Sequence, residues 1–122
     1  MKANLLLDTN IVIYFLEGRR HVVDLIQGES LFISFITEIE LLSWNNLSSQ
    51  DENLILKFIS SCQILEYTVA LKHTVIEFRK QYNLRLADSI IAATVHQQNM
   101  NLMSADSSFN KIEEIDFFLI KP

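Results

Sequence analysis

The chain is poor in residues that interrupt regular structure or cross-link it. Two glycines and one proline in 122 residues exclude a collagen-like or linker-rich protein and predict a compact chain of helices and strands. The one cysteine, Cys62, cannot form an internal disulfide and has no zinc-type partners, which predicts a reducing, cytoplasmic setting. No apolar run reaches the ~18–20 residues of a membrane span. The apolar stretch of the first segment, Met1 to Asp8, stops too soon for a secretory leader. Positive charge is scarce as well: 10 Lys and Arg against 15 Asp and Glu leave a net charge of −5. That argues against nucleic-acid binding through a broad basic surface, though not against an enzyme that meets phosphate through a bound cation.

What the chain does have is apolar residue, 49% of its length, enough for the core of one domain over residues 1–122. Short β-type runs alternate with longer helical ones. Strands are predicted at Asn4–Leu7, Leu31–Ile36, Gln63–Tyr67, Asn101–Met103 and Phe117–Ile120. Helices are predicted over Ile11–Glu17, closed by Gly18, and over Arg19–Gln27, ended by Gly28. Further helices follow at Glu38–Trp44, from a capping box at Ser49-Gln50-Asp51-Glu52 to Ser61, at Val69–Tyr82 and at Ala87–Gln98. The last is apolar on most sides, the pattern of a helix packed between other elements. This alternation predicts an α/β fold, a mainly parallel sheet covered by helices on both faces. The strand order is not readable from the pattern.

Ligands of such sheets bind beyond the carboxyl ends of the strands. Asp8 follows the first strand, Glu40 lies past the second, and Asp106 follows Leu102-Met103-Ser104-Ala105, while Asp88 opens the apolar helix. In a parallel sheet the first three converge on one edge, where Asp88 can join them. Clustered carboxylates repel and respond by taking up protons or a cation. Oxygen-only ligands suit Mg²⁺ or Mn²⁺, and such a site serves phosphodiester hydrolysis by an activated water, with no covalent intermediate. Each acid also has a purely structural explanation. Asp8 and Asp106 could be helix N-caps, Thr37-Glu38-Ile39-Glu40 is itself a capping box, and Asp88 could complement a helix dipole.

Four segments resemble the PIN-domain family. Leu6-Leu7-Asp8-Thr9-Asn10-Ile11 is similar to its opening strand and first acid, and Ile33-Ser34-Phe35-Ile36-Thr37-Glu38-Ile39-Glu40-Leu41 to its S-x-I-T-x-x-E-L segment. Leu86-Ala87-Asp88-Ser89-Ile90-Ile91-Ala92-Ala93-Thr94 resembles its D-x-x-I-A-A-T helix start, and Leu102-Met103-Ser104-Ala105-Asp106-Ser107-Ser108-Phe109 its L-hydrophobic-T/S-x-D-x-x-F strand end. The four stand in family order across nearly the whole chain. Size and the short C-terminal tail look most like the VapC-type toxins of toxin–antitoxin pairs. The resemblance implies a three-layer α/β/α sandwich with a five-stranded sheet, a homodimer, RNA cleavage and neutralisation by a small antitoxin. By matched position it implies that Asp8, Glu40, Asp88 and Asp106 form the acidic metal site. Thr9, Asn10 and Ser104 would then contact that site or its waters. Ser104 stands where threonine is common and keeps the hydroxyl; Ser43-Trp44 stand where a smaller residue is frequent.

Arg79, Lys80 and Arg85 bracket the approach to Asp88 and are candidates for RNA phosphate contacts, or equally solvated charges at a helix end. His21, His73 and His96 are too scattered for a ligand set. Two rival functions fit the size and pattern. A phosphoacceptor receiver-like signalling domain would want adjacent acids after the first strand and a late strand-end lysine, whereas Thr9-Asn10 follow Asp8 and Lys111 is poorly placed. A catalytically inactive PIN-like binding module would have no need of the intact acidic quartet.

Overall fold

A computed structural model describes residues 4–122; the reading of the extreme N-terminus as too short for a leader rests partly on residues outside that range. The described residues form strands β1 (Leu5–Leu7), β2 (Leu31–Ser34), β3 (Gln63–Leu65), β4 (Asn101–Ser104) and β5 (Asp116–Leu119). The helices are α1 (Thr9–Leu16), α2 (Arg20–Ile26), α3 (Phe35–Leu42), α4 (Ser49–Ser61), α5 (Val69–Tyr82) and α6 (Leu86–Gln98), with a 3₁₀ turn at Ser107–Lys111. All strand pairs are parallel, in the order β3-β2-β1-β4-β5. The expected α/β/α sandwich is therefore present, and its sheet is parallel throughout.

The order explains the layers. From β1 the chain steps outward to β2 and β3, then crosses back to β4 and β5 on the other side of β1. Right-handed crossovers in opposite directions put their helices on opposite faces. Successive strand residues point to opposite faces, so Leu5-Leu6-Leu7 serves two cores at once. Leu6, Phe32 and Leu102 pack with Leu71, Phe78, Ile91, Ala92 and Phe109 on one face. Leu5, Leu7, Ile33 and Met103 pack with Ile11, Val12, Val22, Leu41, Ile55 and Phe58 on the other. The near-continuous apolar strands are the expected mark of a sheet buried on both sides.

Local chemistry moved several predicted boundaries. The second strand ends at Ser34, not Ile36, because the Ser34 hydroxyl accepts from the Ile36 N–H at 3.1 Å and starts α3 there. Thr37 is therefore not a cap but a fully buried residue inside α3, and the box read at Thr37–Glu40 does not form. The cap of α4 is Ser48, which accepts from Asp51 N at 3.0 Å, one residue before the predicted Ser49. Asp8 caps α1, which begins at Thr9, two residues earlier than expected. Gly18 stands just past the end of α1 with φ +76°, the left-handed conformation that ends helices. Asn83 and Asn99 end α5 and α6 in the same way, both at φ 53°. Among the described residues no helix is long and apolar enough to cross a membrane.

Candidate active site

The sheet reverses direction of growth between β1 and β4, so the loops leaving their carboxyl ends diverge and open a crevice. Leu7 pairs with Met103, and the Asp8 N–H donates to the Met103 carbonyl at 3.0 Å. That register brings Asp8 and Ser104 together although 96 positions separate them. The Ser104 hydroxyl donates to Asp8 Oδ2 at 2.7 Å and accepts from the Asp106 N–H at 3.0 Å. One buried hydroxyl thus fixes two acids. Asn10 Oδ1 accepts from Ala105 N at 3.2 Å, stapling the start of α1 to the loop after β4.

Glu40 reaches the same crevice from the second turn of α3, where its carboxylate accepts from the Thr9 hydroxyl. The Thr37 and Thr9 hydroxyls are 3.1 Å apart. A carboxylate only accepts and each hydroxyl has one proton, so the chain runs Thr37 to Thr9 to Glu40. Asp88 enters from the first turn of α6. Asp8, Glu40, Asp88 and Asp106 all line one open cleft of about 250 Å³, with Thr9, Asn10, Ile13, Arg85, Ala87 and Ile91. A separate apolar hollow lies between α1, α3 and α4, lined by Leu16, Leu41, Trp44 and Leu54 among others. It has no chemistry of this kind.

The structural and site roles of the acids coexist. Asp8 Oδ1 accepts from Thr9 N at 2.9 Å and Asp106 Oδ1 from Ser108 N at 2.9 Å, so both cap helical turns. Each turns its other oxygen elsewhere, Asp8 to Ser104 and Asp106 toward Arg85. The expectation that the four acids crowd tightly is corrected. Among the described residues no three acidic, histidine or cysteine side chains stand close enough, as placed, to form a ligand set around one ion. The reason is visible in their partners: Thr9 holds Glu40, and Arg85 holds Asp88 at 3.2 Å while lying 3.9 Å from Asp106. The donor set itself is all oxygen and four acids strong, which fits Mg²⁺ or Mn²⁺. Mg²⁺ takes only one or two carboxylates and keeps several waters, so it does not require three acids in contact.

Burial pushes the Asp8 carboxyl above the ordinary carboxylate range. Hydrogen bonds from Ser104 and the Thr9 N–H pull it back, and the negative charges of Asp88 and Glu40 raise it further. A divalent cation in the cleft would oppose that rise by favouring the ionised carboxylate.

Of the three basic candidates, Arg85 alone lines the acidic cleft. Arg79 and Lys80 line a separate shallow hollow with Asn83 and Leu84, and the Arg79 Nε donates to the Leu84 carbonyl at 3.2 Å. Thr37, expected as part of a cap, is instead a buried partner of Thr9, and Arg85, expected as a phosphate contact or a solvated helix-end charge, pairs with Asp88. The Arg-x-x-Asp spacing, one helical turn, was the available signal for the second.

Replacing Ser104 by Ala should cost about 1–3 kcal/mol, because the part-buried Asp106 N–H loses its acceptor and Asp8 a donor. Ser104→Thr keeps the hydroxyl and should retain most of that stability in urea titrations. Equal losses for both would show that space, not the hydroxyl, decides.

The PIN domain family model matches residues 5–115. Among solved structures, the chain is similar to a toxin–antitoxin complex from Klebsiella pneumoniae, with TM-score 0.81, 25% identity, and 95% of this chain and 99% of that one covered. VapBC2 from Rickettsia felis, bound to a promoter DNA fragment, matches with TM-score 0.81, 19% identity and coverage of 95% and 98%. DNA-bound VapBC from Salmonella typhimurium matches with TM-score 0.80, 20% identity and coverage of 95% and 97%. A search of curated proteins finds no match.

Proposed function

This chain belongs to the PIN domain family, and on that premise we propose that it is a Mg²⁺- or Mn²⁺-dependent endoribonuclease, the toxin of a toxin–antitoxin pair, working in the cytoplasm. One observation carries the reading: acids from the ends of β1 and β4, from α3 and from the start of α6 line a single cleft at the switch point of a parallel sheet. Asp8, Glu40, Asp88 and Asp106 would hold the ion. When bound, it supplies a Lewis acid for the attacking water and the phosphate oxygens. The residues do the positioning. Ser104 and the Thr9 N–H fix both oxygens of Asp8, and Thr9 orients Glu40 with Thr37 behind it. Asn10 and Ser104 tie the two strand ends together, which keeps Asp8 and Asp106 at a constant separation. Arg79 and Lys80, outside the cleft, would meet only more distant phosphates of an RNA strand.

The family premise and the toxin–antitoxin neighbours support an antitoxin as partner. The apolar groove between α1, α3 and α4, with Trp44 half exposed, offers such a partner a surface. The apolar face of α5 and α6, where Tyr67, Val69, Ile76 and Leu86 are exposed, suits a second copy of the chain. The receiver-like alternative loses ground, since among the described residues no lysine lines the cleft and the cation there is Arg85.

Purified chain should cut single-stranded RNA in Mn²⁺ or Mg²⁺, stop in EDTA, and resume when the metal is restored. Cleavage indifferent to EDTA, or an acetyl phosphate label on one of the Asp residues, would overturn the proposal.

A further inference from the structure

Arg85 breaks a local rule. It occupies the N-cap position of α6 but makes no side-chain capping bond, where Ser, Asp or Asn would satisfy a backbone N–H. Its guanidinium instead reaches into the cleft. Nε donates to Asp88 Oδ2 at 3.2 Å, and Nη2 lies 3.9 Å from Asp106 Oδ2. The Asp88 side chain is only 13% exposed and that of Asp106 32%, whereas Arg85 is 81% exposed. A long, solvated cation therefore sits over two acids held by α6 and by the loop after β4. Its side chain is held on the cleft chiefly by these two carboxylates. Departures from local preference of this sort concentrate at functional sites.

We propose that Arg85 is a displaceable internal counter-cation: in the ion-free protein it offsets part of the charge of Asp88 and Asp106, and a divalent cation must displace it to engage them. The inference rests on the nuclease reading for the identity of the site, and concerns what resists ion entry. A planar fork can lie across two carboxylates, which an ammonium cannot do equally well. Because the guanidinium is exposed, its hold is weak, a factor of about five in binding. That is enough to weaken ion binding without abolishing it. The mobility implied by that exposure lets the guanidinium swing outward when an ion arrives.

Calorimetric titration of the metal-free chain with Mn²⁺ alone tests this without any RNA. Arg85→Ala should bind Mn²⁺ about fivefold more tightly than wild type, and Arg85→Lys should fall between them. Lys57→Gln, which removes one positive charge from an exposed position on α4, should leave the affinity unchanged. Equal or weaker Mn²⁺ binding by Arg85→Ala, or an equal gain in Lys57→Gln, would overturn the role of Arg85 while leaving the nuclease reading intact if wild type still binds Mn²⁺ and cuts RNA. Failure of wild type and Arg85→Ala alike to bind Mn²⁺ would overturn both.

Discussion

Asp8→Asn should lower RNA cleavage by on the order of 10²–10³-fold, the loss seen when a fixed group that stabilises developing charge is removed, while the protein stays folded. Asp8 is the most buried of the four acids and faces both Asp106 through Ser104 and the start of α1. Asparagine keeps an acceptor for the Thr9 N–H but removes the negative charge. The same variant has a pH signature. Burial raises the folded-state pKa of Asp8 above 3.8, so between those two pKa values the folded protein binds a proton that the unfolded chain has released. Stability therefore declines as pH rises through that window. In EDTA, the stability of wild type relative to Asp8→Asn should fall as pH rises from about 4 until the raised folded-state pKa is passed, and added Mn²⁺ should reverse the fall. Chemical denaturation at several pH values, beside cleavage of a labelled RNA, measures both effects. Wild-type cleavage by Asp8→Asn would end the nuclease proposal. A pH-independent difference would mean that Asp8 carries no burial penalty.

Phe109→Ala should be the most destabilising single change near the site, at about 3–5 kcal/mol. Phe109 is fully buried on the α5/α6 face, its ring 5.7 Å from that of Phe117 on β5. A loss of that size is a large part of the 5–15 kcal/mol that holds a typical domain together, and should lower Tm by roughly 10–20 °C. The effect reaches the cleft. Phe109 anchors the 3₁₀ turn whose Ser108 N–H binds Asp106, so cleavage should fall even at temperatures where the variant is still folded. Phe109→Leu should recover most of the stability. If Phe109→Ala melted within a few degrees of wild type, the turn would owe its position to the Ser104 and Asp106 hydrogen bonds instead.

Much was legible in the sequence because it depends on local pattern. Apolar strands separated by periodic helices give an α/β sandwich, and α5 spans the expected Val69–Tyr82, opened by the Thr68 cap and ended by Asn83, a residue that tolerates φ > 0. Asp8, Asp88 and Asp106 stand just past a strand or at a helix start, and Glu40 lies a turn further on in the helix after β2. The start of α3 was misread because Ser34 and Thr37 are both good caps, and only the pairing of β2 with β1 and β3 decides which serine or threonine ends the strand.

The sequence by itself determined the elements, the two-sided burial of the central strands and the presence of acids beyond strand ends. These follow from periodicity and capping, which act over a few residues. Tertiary structure decided the strand order, and with it that β1 and β4 are neighbours, so that Ser104 meets Asp8. It also decided that Thr37, Thr9 and Glu40 form one chain and that Arg85 covers Asp88 and Asp106. Contacts between Asp8 and Ser104, or Arg85 and Asp106, depend on through-space distances of a few ångströms, and residue spacing along the chain does not encode those once a crossover intervenes.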